Sequence, residues 1–193
     1  LTSGSNERMR ITAAGALSVG SSGTATGTSG QVLTSAGSGS SPTWSSIAAF
    51  TLGTAVASTS GTSISYTGLP STIKVLIINY YNVSTNGSNY IRVRLGTSGG
   101  LVSTGYIGYT GLQGTNNVYS NFSTGFLLNA GQASGYMQFN LVDTSDNSWA
   151  MLGNLGYNAS SNIKMSSGGV ILTNTLTQLT IDTNGSADAF NSG

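Results

Sequence analysis

From Ile73 to Val83 the chain reads Ile-Lys-Val-Leu-Ile-Ile-Asn-Tyr-Tyr-Asn-Val, its most apolar and most β-branched run, and such a run is strand-forming. At period two, one face carries Ile73, Val75, Ile77, Asn79, Tyr81 and Val83, and the other carries Lys74, Leu76, Ile78 and Tyr80. Both faces are largely apolar, whereas an antiparallel strand in a free monomer wets one of its faces. The expectation is a sheet covered on two sides, by a second sheet and by a neighbouring subunit. A covering loop is the alternative.

Composition decides what such a sheet can be part of. Charged residues make up 6% of the chain, far below the roughly 25% of an average domain, and Ser, Thr, Asn and Gly supply the polarity instead. Disorder goes with high net charge and few aromatics, but here the net charge is +1 and nine Tyr, five Phe and two Trp are available for a core. The chain is therefore expected to fold. It lacks the basic footprint of a nucleic-acid binder. With no Cys and no His, thiol nucleophiles, disulfides, Ser-His triads and ordinary zinc sites drop out. No stretch approaches ~20 apolar residues, so membrane insertion is not expected.

Residues 1–46 are a different material, nearly all Gly, Ser, Thr and Ala. Met9-Arg10-Ile11-Thr12 and Leu17-Ser18-Val19-Gly20 read as two short strands around a small-residue turn. Gln31-Val32-Leu33-Thr34-Ser35 and Pro42-Thr43-Trp44 read as a second pair. Isolated two-stranded hairpins are marginal in water, and these have too few apolar side chains to bury one another. Three copies winding together would supply partners; a flexible Gly/Ser linker is the alternative. The chain opens in mid-pattern at Leu1-Thr2-Ser3-Gly4, as if cut from a longer one.

Glu7-Arg8-Met9-Arg10-Ile11-Thr12 followed by Gly15-Ala16-Leu17-Ser18-Val19-Gly20 resembles a shaft element of tail fibres from tailed bacteriophages. Ser29-Gly30-Gln31-Val32-Leu33-Thr34-Ser35, with Gly37-Ser38-Gly39 and Pro42-Thr43-Trp44, resembles their collar and is the more specific match. The resemblance implies an all-β homotrimer on the virion. Residues 1–46 would be shaft and collar, and residues 47–193 an antiparallel β-sandwich, jelly-roll-like head that meets the host surface. It further implies a surface receptor, a glycan, and attachment to other virion proteins through a missing N-terminal part. A structural fibre without a receptor, and a polysaccharide depolymerase, are the alternatives.

Beyond Ala49, turn signals recur as in a sandwich or barrel. Strands are expected near 49–57, 62–67, 73–83, 90–96, 105–110, 117–128, 135–143, 148–157, 163–172 and 176–182. Ile91, Val93 and Leu95 should face the core with Arg92 and Arg94 outward; Met137, Phe139 and Leu141 share one face, and Trp149, Met151 and Leu155 another. The final strand of the resembled heads, after Asp188-Ala189-Phe190, is expected to be missing.

No catalytic group, cofactor or metal is expected. A glycosidase needs two carboxylates facing one another, yet Asp143 and Asp146 bracket a single turn, where Asp caps its own backbone amides; a weak calcium site there is the alternative. Arg92 and Arg94 either grip an anionic group or form the outer side of an alternating strand. Neutral sugars are bound by aromatic faces and planar amides, and Tyr106, Tyr109, Gln113, Asn116, Asn117 and Tyr119 surround one long loop. Counting strands alternately up and down places loops 58–61, 84–89, 111–117 and 143–147 at one end, far from the shaft. Loops 68–71, 97–104, 129–134 and 158–162 fall at the other. The receptor set is then Asn86, Asn89, Gln113, Asn116, Asn117, Asp143, Asp146 and Asn147, with Tyr90 and Trp149 beneath.

Overall fold

The computed structural model describes residues 7–20, 24–47, 50–113, 119–128, 132–157, 162–184 and 187–192. Among these there is no helix, and every sheet is antiparallel. The chain divides into two compact units, Leu1–Thr54 and Ala55–Gly193.

The first unit holds the two expected hairpins. β1 (Met9–Ile11) pairs with β2 (Leu17–Val19), closed by a turn in which Ala16 N donates to Thr12 Oγ1 at 3.0 Å. β3 (Gln31–Thr34) pairs with β4 (Thr43–Ser46). Ala25 ties them together: it bridges Val19, and its carbonyl accepts the Trp44 indole N–H at 2.9 Å. Val19 is buried, while Met9, Ile11, Val32 and Leu33 stay exposed.

The second unit is β-sandwich-like. In chain order its strands are β5 (Ser63–Thr67), β6 (Val75–Thr85), β7 (Ile91–Thr97), β8 (Gly100–Leu101), β9 (Ile107–Gln113), β10 (Tyr119–Phe122), β11 (Phe126–Leu128), β12 (Ala133–Asp143), β13 (Ser148–Tyr157), β14 (Asn162–Ile171), β15 (Gln178–Asp182) and β16 (Phe190–Ser192). Seven form one sheet in the order β10-β9-β14-β13-β12-β6-β16. A second sheet runs β11-β7-β15-β5, with β8 paired to β7. The core between them follows the expected parities: Ile91, Val93 and Leu95 of β7, Met137 and Phe139 of β12, and Trp149, Met151 and Leu155 of β13 are all buried. Phe126 sits at its centre, with the rings of Tyr106, Phe139 and Phe122 packed edge-on at centroid distances of 4.9, 5.4 and 5.6 Å. Such contacts add about 0.5–1.5 kcal/mol each beyond area burial.

Three expectations change. Residues 50–57 form no strand, and no strand among the described residues pairs with them. The final strand is present in part: β16 pairs with the end of β6, Phe190 opposite Thr85. The single strand expected over 117–128 is two, β10 and β11, and they belong to different sheets. The chain crosses at Ser123-Thr124-Gly125, where Gly125 takes φ 154° and lies on the Arg92 and Arg94 side chains. A Cβ at Gly125 would stand 2.5 Å from Arg92 Cγ and 2.9 Å from Arg94 Cγ, so only glycine permits this approach.

Candidate functional site

That extra reversal inverts the direction of every later strand relative to simple alternation, and the expected loop sets separate accordingly. β12 runs from Ala133, opposite Val83, to Asn140, opposite Val75. The turn between β12 and β13 therefore lies beside Lys74, at the opposite end of the sheet from Asn86. It shares that end with loop 68–71, where Leu69 N donates to Thr177 O, and with the β7–β8 turn. β9 ends at Gln113, opposite Ile163, on the Asn86 side. Asn86, Asn89, Tyr90 and the backbone of Gln113 thus gather at one end, and Asp143, Asp146, Asn147 and Trp149 at the other. Asn116 and Asn117 lie outside the described residues, as do much of loops 129–134 and 158–162.

At the first end, the amides clasp the last strand. Asn89 donates from both its backbone N and its Nδ2 to Asp188 Oδ2, at 2.9 and 3.0 Å. Asn86 Oδ1 accepts Ala189 N at 2.9 Å, and Asn86 N donates back to Ala189 O at 3.0 Å. Gly87 packs against the Asp188 carboxylate. Tyr90 is half-buried against the core.

At the second end, the two aspartates serve their own turn. Asp143 Oδ1 accepts the backbone N–H and the hydroxyl of Ser145, at 2.7 and 2.8 Å, and these two bonds hold its carboxyl below the usual range. Asp146 Oδ1 accepts Ser148 N at 2.9 Å, and Asn147 takes the left-handed φ of 55° that the turn requires. Trp149 is 2% exposed and faces the core, so it offers no stacking surface. Among the described residues no cluster of three metal-ligating side chains occurs.

Arg92 and Arg94 point away from the core, as expected, and converge on Asp182. Arg92 Nε reaches Oδ1 at 3.0 Å and Arg94 Nη2 reaches Oδ2 at 2.7 Å, with the Asp182 side chain 8% exposed. Tyr106 is a core residue whose hydroxyl accepts Leu95 N at 2.8 Å; burial pushes it up to about 12. Tyr109 lies on the outer face of β9 and is exposed.

The sequence did not point to Lys164. It is 6% exposed and faces inward beside Ser166 and Thr110, where burial lowers its pKa. These residues line a cavity of about 10 Å³ with Leu128, Ala133 and Leu155, room for about one water and no organic ligand. The strand carrying Lys164 is inverted: its polar Lys164 and Ser166 face the core side, while Ile163, Met165 and Ile171 are exposed on the outside. With Ile77, Leu152 and Tyr109 they set apolar side chains on the outer face of the seven-stranded sheet, among uncharged polar ones such as Asn79, Gln138 and Ser167. The charged residues in its strands are Lys164, which points inward, and Asp143, at the last position before the turn. An exposed face of this extent without charge is a feature of interaction surfaces.

No family model, curated protein or solved structure matches this chain.

Proposed function

We propose that this chain is the shaft, collar and head of a tailed-phage fibre: a homotrimer whose jelly-roll-like head attaches the virion to a host surface glycan, without catalysis. The observation that carries the assembly is the outer face of the seven-stranded sheet, where β14 turns its apolar residues outward and no charge interrupts them. A strand that turns apolar side chains outward gains stability when that face is covered as well. The exposed Met9, Ile11, Val32 and Leu33 of the N-terminal hairpins call for partners in the same way. The fibre assignment rests on the shaft-like and collar-like motifs of residues 7–20 and 29–44.

Sedimentation of the intact chain at micromolar concentration should give a trimer, and a stable monomer would remove the proposal. A glycan array probed with the trimer tests the receptor. Replacing Gln113, Asn116 and Asn117 with Ala, and separately Asp143, Asp146 and Asn147, compares the two ends; one set should abolish cell binding without moving the melting temperature. The second reading, a structural fibre without a receptor, draws on the clasp, since Asn86 and Asn89 are already engaged by the C-terminal segment. Silence on the array with both loop sets inert would favour it.

A further inference from the structure

β6 is an edge strand over most of its length. Leu141 N donates to Lys74 O at 2.9 Å, which makes these two a hydrogen-bonded pair; by alternation Leu76 with Phe139 and Ile78 with Met137 are bonded pairs too. The N–H and C=O groups of Val75, Ile77 and Asn79 therefore point to the other edge. On that edge β16 pairs with Ser84 and Thr85, and no strand among the described residues pairs with the stretch before them. Open edges are normally blunted by lysine, proline or short length. This one has neither charge nor proline from Val75 to Tyr80, and only beyond Tyr80 does a β-bulge, with Asn82 at φ 57°, interrupt it.

The same chain carries a segment that pairs with no strand among the described residues. In Phe50–Ala57, Phe50, Leu52 and Val56 alternate with Thr51, Gly53 and Ala55 in the manner of a strand, and the segment is uncharged. Phe50 is 82% and Leu52 93% exposed, and no backbone hydrogen bond to the described residues holds the segment. An uncharged segment and an uncharged edge, neither paired with a strand among the described residues, thus occur in one sequence.

We propose that Phe50–Ala57 of one copy adds as an antiparallel edge strand to β6 of a neighbouring copy, along Val75–Tyr80. This rests on the homo-oligomer proposed above and names its contact. The direction follows from the sheet, which is antiparallel throughout, and from β16, which already lies antiparallel on the same edge. The direction also dictates exchange. Antiparallel addition carries Ala57 to the Val75 end, yet Gly61 of the same chain is fixed at the Thr85 end, where its carbonyl accepts Phe190 N at 2.8 Å. β6 spans roughly 30 Å, whereas the link from Ala57 to Gly61 reaches at most about 14 Å. The strand must come from another copy.

The chain has no cysteine, so introduced thiols report cleanly. Chains bearing one cysteine at each position from Thr51 to Val56 are co-expressed with tagged chains bearing Ile77→Cys, oxidised, and weighed by mass spectrometry. Mixed-mass disulfide species are expected at positions two residues apart, because alternate side chains share a face. Absence of any mixed species, in protein that still sediments as a trimer, would overturn the exchange and leave the assembly standing. A monomer in sedimentation would remove both. A link formed within single chains carrying both cysteines, at monomer mass, would show pairing in cis and overturn the exchange as well.

Discussion

The two units are built from the same Ser-, Thr- and Gly-rich vocabulary, yet only one makes a core. In Ala55–Gly193, two sheets bring side chains from distant strands around Phe126, and the aromatic contacts join β10, β11 and β12 with Tyr106 of the preceding loop. In Leu1–Thr54, two hairpins meet through the Ala25 carbonyl and the Trp44 ring, which rests on Gly27 with no room for a Cβ between them. What differs is the number of layers. A hairpin has one face to cover and nothing to cover it with, whereas two stacked sheets cover each other.

Phe126→Ala should widen that contrast most. Losing the ring that Tyr106, Phe122 and Phe139 all touch should cost about 3–5 kcal/mol through lost transfer energy and a cavity. Chemical denaturation followed by Trp149 fluorescence would measure it. A loss under about 1 kcal/mol would mean that Phe126 is not the centre of the core.

Tyr106→Phe is a smaller break. It leaves the buried Leu95 N–H without its hydroxyl partner, a loss of about 1–3 kcal/mol near neutral pH. Its pH dependence is more telling. The folded-state pKa is raised by burial to about 12, above the roughly 10 of an unfolded tyrosine. The stability this shift contributes is complete below pH ~10 and is lost as pH rises toward about 12. Tyr80, also raised by burial, adds to the decline. Lys164 works oppositely: its lowered pKa makes folding more favourable as pH rises toward its unfolded value. Urea midpoints from pH 9 to 12 should therefore fall less steeply in Tyr106→Phe than in the parent.

The smallest effect belongs to the first unit. Trp44→Ala should leave the thermal midpoint of the second unit within about 1 °C, since the ring packs on Gly27 and Ala25 of its own unit. Circular dichroism and Trp149 fluorescence would check this. A large shift would mean that the two units unfold together.

What the sequence disclosed follows from where its apolar residues sit. The alternations through Met137–Phe139 and Trp149–Leu155 were legible because the core-facing parity is the apolar one. β14 was not, since Ile163 and Met165 point outward and periodicity cannot say which face is inside. Tyr119–Phe122 and Phe126–Leu128 merged because both are strand-like and only Ser123-Thr124-Gly125 separates them. At the candidate sites, the capping by Asp143 and Asp146 spans two residues and could be read from turn chemistry. The clasp of Asn89 on Asp188 joins positions 99 apart, and no local pattern encodes it.

The place of β15 has a consequence for how the chain is made. It lies between β7 and β5, near the end of the sequence, and bonds both, with Ser65 Oγ meeting Thr180 Oγ1 at 2.8 Å across a separation of 115 residues. A ribosome delivers β5 and β7 long before the strand that joins them. Half of the sandwich therefore has no middle until β15 is made, after every strand of the seven-stranded sheet but β16. Closure is a late, non-local event, of the kind that sets folding times in milliseconds to seconds.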